Sequence, residues 1–279
     1  MGLTREDEMS EDGRRTAFAA GSVPEDYDRY LTPVVFAPWA QRFVDFVGIE
    51  AGQHVLDVAS GTGVAARAAA RLAGPTGRVV ASDASPAMLR RAAAAGPRPG
   101  AAAVETLECS ATALETPDGS YDRVLCHQGL PFIPDRVAAL REMRRVLRPD
   151  GAAGVAVWVS GHRCEPFETY IDVLRSADVP PPFPGAYEMA SYVMGESDLA
   201  AAFEAAGYGR LEITTADLNV SWPSADEAVD AIAGTPFGPV VAALEPDRQQ
   251  QLRRAMVELF FADGEVRRTT RAVLARGTT

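Results

Sequence analysis

The stretch that most narrows the fold is residues 55–66, VLDVASGTGVAA. An apolar run that breaks at Gly61-x-Gly63-x-x-Ala66 and reopens in small residues reads as a buried strand, a tight turn and a helix packed close on its strand. The spacing satisfies the G-x-G-x-x-G/A pattern of a dinucleotide loop, a weak signal when it stands alone. What raises it is the rhythm that follows. Residues 53–59 predict a first strand, and 64–73 a helix stopped by Gly74-Pro75. Residues 78–82 predict a second strand, and 86–95 a helix stopped by Gly96-Pro97. Further strands are expected at 101–107, 121–126 and 152–159, with a helix over 136–147 closed by Pro149-Asp150-Gly151. Strands alternating with helices indicate a doubly wound, mostly parallel α/β sheet.

Either side of this core the pattern changes. Residues 1–24 read as a disordered tail, their first fifteen being highly charged without an apolar core, and 25–50 as an N-terminal helical lid that Pro33 and Pro38 break into short helices. The nucleotide-binding core spans 51–160. Residues 161–195, rich in Pro and aromatics with a helix over 165–177, and 222–262, mostly helical, read as inserts over the binding edge. The core resumes over 196–221, with a helix at 197–206 and a strand at 211–220, and ends with a strand in 263–279.

The formal net charge of -11 argues against a broad grip on nucleic-acid phosphates and against an anionic membrane surface. No apolar stretch approaches the ~20 residues needed to span a bilayer. All 27 basic residues are Arg, and they form no patch. Cys109, Cys126 and Cys164 lack paired metal spacing, and their odd number fits a reducing cytoplasm better than a disulfide framework. No metal is expected, and the chain reads as a monomer or homodimer acting on a small molecule.

Open parallel sheets bind ligands outside the carboxyl ends of their strands. That rule selects Asp57 to Gly63, Asp83, Ser110-Ala111, His127-Gln128 and residues 160–162. Asp83, about twenty positions beyond Gly63, stands where a carboxylate accepts ribose hydroxyls. Its structural alternative is a cap ahead of Pro86. Asp57 separates two nucleotides: beside a pyrophosphate a carboxylate repels, whereas beside the ammonium of an amino acid it attracts.

With these residues in view, the chain resembles the class I S-adenosylmethionine-dependent methyltransferases. The small-molecule branch is the nearest, with its ubiquinone/menaquinone biosynthesis and natural-product enzymes. The resemblance rests on VLDVASGTG (55–63), VVASDASPAML (79–89), TALETPDGSYDRVLC (112–126), LREMRRVLRPDGAAGVAVW (140–158) and, more loosely, FEAAGYGRLEI (203–213). It implies a seven-stranded Rossmann-like sheet with an antiparallel last strand, S-adenosylmethionine as cofactor and S-adenosylhomocysteine as product. It places Asp57, Ala59, Gly61 and Gly63 along the methionine tail, Asp83 and Ala84 at the ribose, and Met88 against the adenine. Ser110 and Ala111 would meet the adenine edge, His127 the sulfonium region, and Tyr30 would close over the tail. The family often has Asp where Ser110 stands, so the adenine amino group would lose an acceptor here.

Methyl transfer to an unionised nucleophile needs a base. His54 precedes the first strand, on the wrong edge. His127 and His162 stand at the catalytic edge, each either a base or a packing or binding residue. Cys126, His127, His162 and Cys164 lack zinc-site spacing. Phe132, Trp158, Phe167, Tyr170, Phe183, Tyr187, Tyr192, Trp222 and Phe237 are the aromatics available to shape a substrate pocket, most of them expected in the core. The reading is methylation of an oxygen or carbon on a small, fairly hydrophobic natural-product or quinone-like metabolite. Its rivals are the same fold turned to a non-methylating reaction such as cyclisation, and an NAD-dependent oxidoreductase, against which Asp57 and Met88-Leu89 speak.

Overall fold

The computed structural model describes residues 17–18, 20–159, 165–183, 185–187, 193–261 and 267–279. The chain divides into two compact units. The larger comprises Phe36–Ser160, Val193–Ala216 and Arg271–Thr279; the smaller comprises Met1–Val35, Gly161–Tyr192 and Asp217–Thr270.

The sheet has seven strands: β1 (His54–Val58), β2 (Arg78–Asp83), β3 (Val104–Glu108), β4 (Tyr121–His127), β5 (Leu147–Trp158), β6 (Arg210–Ser221) and β7 (Arg267–Thr278). Their order is β3-β2-β1-β4-β5-β7-β6. β1 pairs in parallel with β2 and with β4, Asp57 lying opposite Ala81 on one side and Leu125 on the other. β7 runs antiparallel to β5, from Ala152↔Thr278 to Trp158↔Ala272. The chain winds outward from β1 to β3 and then returns to place β4 at the other side of β1. The reversal opens a crevice at the carboxyl ends of β1 and β4, the switch point where such sheets bind ligands.

Alternation along each strand divides the core. Leu56, Val58, Val80, Val124, Cys126 and Val155 bury one face together with Leu140 and Met143 of α5 (Arg136–Arg145) and Leu199 and Phe203 of α7 (Glu196–Ala205). The opposite face takes α2 (Ala37–Val47), whose Phe43 stacks on His127 of β4, and α3 (Val64–Ala73), whose Ala66 meets Asp57. Covering both faces explains the nearly continuous apolar strands. Each buried side chain of the size of Leu140 or Phe43 contributes roughly 1.5–3 kcal/mol. α4 (Pro86–Ala94) begins at an N-cap, Ser85, whose side chain accepts the Met88 N–H, with Pro86 in the first turn.

In the smaller unit α6 (Phe167–Ser176) packs against α10 (Pro246–Phe261) through Tyr170 and Phe260, an edge-to-face pair at 5.7 Å. The buried Tyr170 hydroxyl donates to the Ala228 carbonyl in α8 (Ala225–Asp230). Arg253 bridges Asp226 and Asp230 at 2.6 and 2.5 Å. α9 (Gly238–Ala242) completes this helical group.

The expected elements appear, with three differences. Pro33 and Pro38 do not separate short helices: α1 (Val23–Asp26), a π-helical stretch (Tyr27–Phe36) and α2 follow without a break. The wider ladder carries Pro33, and Pro38 occupies the first turn of α2, where a missing N–H costs nothing. The helical run also begins inside the expected tail, burying Val23 and Pro24. Finally, Pro149-Asp150-Gly151 lies within β5 as an irregularity rather than ahead of it, with Asp150 at φ +65° and the β4 register shifting between Tyr121 and Arg123. The segments expected to be lids and inserts fall mainly in the smaller unit, and residues 160–164 and 188–192 lie outside the described residues.

Candidate functional site

The site is built at the carboxyl ends of β1, β2 and β4. The β1 pleat turns Asp57 to the α2/α3 face, and the residue facing it in β4 is Leu125, so His127 stands two positions further along that face. Asp57 is fully buried, and its Oδ2 accepts the Ala66 N–H at 2.8 Å. That satisfies one of the first-turn donors of α3, whose N-cap, Gly63, has no side chain to do so. Its Oδ1 is buried with no partner. Burial raises the Asp57 carboxyl to about 7; the Ala66 N–H pulls it down, nearby Asp83 pushes it up and Arg67 pulls it down.

Ala59, Gly61 and Gly63 all have positive φ, at +53°, +54° and +80°. The two glycines have different reasons to be glycine. A Cβ on Gly63 would stand 3.0 Å from the Cβ of Ala92 in α4, whereas one on Gly61 meets nothing within 4 Å. Gly63 serves packing; Gly61 faces open space into which a ligand can bring its backbone-sized tail.

Asp83, the last residue of β2, ties the two loops together. Its Oδ2 accepts the Gly61 N–H at 2.8 Å, its Oδ1 accepts the Ser85 N–H at 2.8 Å, and the Ala84 N–H also donates to it. Burial raises its carboxyl, and the Ser85, Gly61 and Ala84 donors oppose the rise. The cap of α4 is Ser85 and not Asp83, so the capping alternative for Asp83 becomes a loop-fixing role. Three of the carboxylate's roughly four lone-pair sites are thus engaged, which leaves one to accept from a ribose hydroxyl. Met88 is buried on α4. Cys109 donates its N–H to the Asp83 carbonyl at 3.2 Å, which sets Ser110 and Ala111 just beyond the end of β3. The Ser110 hydroxyl is engaged locally with Thr112 at 2.9 Å.

His127, 8% exposed, stacks on Phe43 at 5.6 Å and meets Phe36 edge-on at 6.4 Å. Its Nε2 is buried without a partner. Burial lowers the imidazole to about 3, so it is neutral across physiological pH. Two neighbours lie within the stretches that the strand-end rule selected but were given no role there. Gln128, also 8% exposed, has φ +61° and both side-chain amide atoms buried and unpartnered. Ser60 has a buried, unpartnered Oγ. Nothing in the sequence distinguishes their polar atoms from satisfied ones. The Gly129 that follows would place a Cβ 2.7 Å from that of Ala59, so the β4 turn rests directly on the β1 turn. Unpaired buried polar groups are rare in folded chains, and those of Asp57, Ser60, His127 and Gln128 stand at the adjoining ends of β1 and β4.

Cys126 is buried beside Asp57, and burial above all pushes its thiol up to about 12. His54 sits at the other end of β1, its Nδ1 3.2 Å from Arg148. Tyr30 belongs to the smaller unit, with the Arg29 guanidinium 4.9 Å from its ring centre. His162, Cys164 and Tyr192 lie outside the described residues. Trp158, Tyr170, Phe183, Trp222 and Phe237 are buried, while Phe132, Phe167 and Tyr187 keep partial exposure. Among the described residues no group of His, Cys, Asp and Glu is arranged to hold a metal ion, and no helix is long and apolar enough to cross a membrane.

An S-adenosylmethionine tail fits this donor set. The buried Asp57 oxygen suits its ammonium, the open face of Gly61 gives it room, and Asp83 has one acceptor site left for a hydroxyl. A pyrophosphate fits poorly, because two carboxylates and no unpaired cation stand among the residues described there.

Comparison with known proteins agrees. Residues 55–151 match a family model described as a methyltransferase domain. Over 114 residues the chain is 40% identical to the ubiquinone/menaquinone biosynthesis C-methyltransferase UbiE of Hahella chejuensis, a match covering 40% of this chain and 46% of that one. The chain thus spans about half the length of the curated relatives it matches. Phosphoethanolamine N-methyltransferase 2 of Haemonchus contortus, solved with phosphomonomethylethanolamine and S-adenosylhomocysteine, shares the fold at a TM-score of 0.62 and 16% identity, covering 97% of this chain and 60% of that one. The [4+2]-cyclase SpnF shares it at 0.54 and 20% identity, covering 87% and 80%.

Proposed function

We propose that this chain, whose core is a class I S-adenosylmethionine-dependent methyltransferase domain, methylates an oxygen or carbon of a small, fairly hydrophobic metabolite of natural-product or quinone-like kind. One observation carries the reading. Asp57 keeps a buried, unpartnered carboxylate oxygen beside a turn whose Gly61 faces open space. A cationic amino-acid tail relieves that burden and a phosphate aggravates it. The likeness to UbiE supports a quinone-like ring.

The bound cofactor supplies an electrophilic methyl group on a positively charged sulfur. The residues' work is positional, and alignment of this kind can contribute roughly 7–11 kcal/mol. Asp57 and the β1 turn hold the tail, Asp83 and Ala84 the ribose, and Met88, Ser110 and Ala111 the adenine side. His127, neutral and locked against Phe43, acts as a hydrogen-bonding contact near the reacting groups rather than as a strong base. His162 remains the other candidate base in this proposal. Substrate choice is assigned to the inserted segments, and a reducing cytoplasm suits the buried free thiols of Cys109 and Cys126.

Isothermal titration tests the cofactor: S-adenosylhomocysteine is expected to bind and NAD not to. Tight NAD binding without a response to S-adenosylhomocysteine overturns the reading. SpnF, a cyclase on the same fold, favours one rival, catalysis without methylation. Mass spectrometry of the product separates the two, since only methylation adds a methyl-sized mass.

A further inference from the structure

Resting on the methyl-transfer reading, one side chain at the crevice is left without a task. Gln128 follows β4 directly. Its backbone N–H is anchored to the Ala156 carbonyl at 2.8 Å, and its φ of +61° is a conformation for which glycine is the default. The next residue, Gly129, is seated on Ala59, so the turn is held from both sides. The amide is therefore fixed in place, yet its nitrogen and its oxygen are both buried and unpartnered. Beside it His127 Nε2 is unpartnered as well. A buried primary amide with neither end satisfied destabilises the free protein, and strain combined with unmet polar groups is characteristic of sites completed by a ligand. Asp57 and the glycines account for the amino-acid tail and Asp83 for the ribose, so Gln128 is available to the other reactant.

We propose that Gln128 reads the methyl acceptor, and that the acceptor carries a hydroxyl directly beside a carbonyl. The amide carbonyl accepts from the hydroxyl while the amide N–H donates to the neighbouring carbonyl. This holds whichever way round the amide is placed, because a primary amide always offers one donor and one acceptor side. Hydroxyl and carbonyl groups on adjacent carbons form such a pair; an isolated carbonyl or a plain hydrocarbon ring does not.

The test compares 3-hydroxychromone, whose hydroxyl and carbonyl stand on adjacent ring carbons, with chromone by isothermal titration, with and without S-adenosylhomocysteine, in the wild type and in Gln128→Met. The wild type is expected to prefer the hydroxylated ring by about tenfold, and Gln128→Met to narrow the gap to about twofold. The variant's affinity for S-adenosylhomocysteine should change by less than about threefold. Its melting temperature should rise, because the substitution removes two unmet polar atoms at similar volume. Gln128→Leu, which also lacks both the acceptor and the N–H, should lose the preference too; it serves if the Met variant does not fold. The proposal is overturned if the wild type binds neither ring or does not discriminate. It is also overturned if the preference survives in both variants, if S-adenosylhomocysteine affinity falls as far as ring affinity, or if Gln128→Met melts lower. A wild type that prefers the hydroxylated ring but does not bind S-adenosylhomocysteine sinks the methyl-transfer reading, and leaves of this one only the recognition of a hydroxyl–carbonyl pair by Gln128.

Discussion

The Asp83 carboxylate accepts the backbone N–H of Gly61 at 2.8 Å, so the residue proposed to hold a ribose also fixes the turn proposed to hold the methionine tail. The two halves of the proposed cofactor site are mechanically one. Replacing Asp83 by Ala should therefore abolish measurable S-adenosylhomocysteine binding and cost about 2–3 kcal/mol of stability, because charge-assisted bonds from Gly61 and Ser85 are lost together. Asp83→Asn turns an NH2 toward one of those N–H groups and should fare little better. Chemical denaturation and calorimetry check this, and unchanged cofactor affinity refutes the assignment.

Asp57 should make cofactor binding depend on pH. Its folded-state carboxyl at about 7 lies above the unfolded value, so between about 4 and 7 the native chain holds a proton that the unfolded chain releases. The contribution of this group to stability then falls as pH rises through that window, by at most about 4 kcal/mol. An ammonium favours the ionised carboxylate, so S-adenosylhomocysteine affinity should increase from pH 6 to pH 8 with release of a proton. Titrations in buffers of different ionisation heat measure that proton. Asp57→Asn should flatten the dependence while keeping an acceptor for Ala66.

Gly61→Ala and Gly63→Ala should separate binding from stability. At Gly63 the new methyl meets Ala92 at 3.0 Å, and the variant should lose roughly 1–3 kcal/mol of stability. At Gly61 it meets nothing within 4 Å and enters the space assigned to the tail. There the stability loss should be nearer 1 kcal/mol, from the positive φ, while affinity falls tenfold or more, by about 1.4 kcal/mol. Equal losses of affinity in the two variants would contradict the division of roles.

His127 should show no titration near neutrality. Burial holds its imidazole at about 3, below the unfolded value near 6.5, so stability is lost as pH falls through that interval, when only the unfolded chain takes up the proton. NMR of the ring should give a flat shift from pH 5 to 9, and turnover should show no limb in that range that disappears in His127→Gln. Such a limb would restore His127 as the general base.

Much of the fold was legible because its signals are local. The run 55–66 placed β1, its turn and α3, and Gly74-Pro75 and Gly96-Pro97 marked helix ends, since glycine and proline act on the backbone where they stand. The same locality misled at Pro33 and Pro38, where the surrounding helix absorbs one proline by widening and the other by beginning a new α turn. It misled again at Pro149-Asp150-Gly151, which reads as a stop but is carried inside a strand pinned by β4 and β7.

By itself the sequence determined the alternating α/β architecture, the glycine turn after β1, and the carboxylates Asp57 and Asp83 at spacings that suit an amino-acid nucleotide better than a pyrophosphate. Those depend on periodicity and on chemistry within a few positions. Only the tertiary structure decided that Asp57 has one satisfied and one unsatisfied oxygen, that Asp83 braces Gly61, that Phe43 buries His127, and that Gln128 stands strained and unpaired on the β4 turn. Burial and hydrogen-bond satisfaction are set by residues that meet across the sheet. A chain read in order cannot show which polar atoms that meeting leaves empty-handed, and it is those atoms that select a ligand.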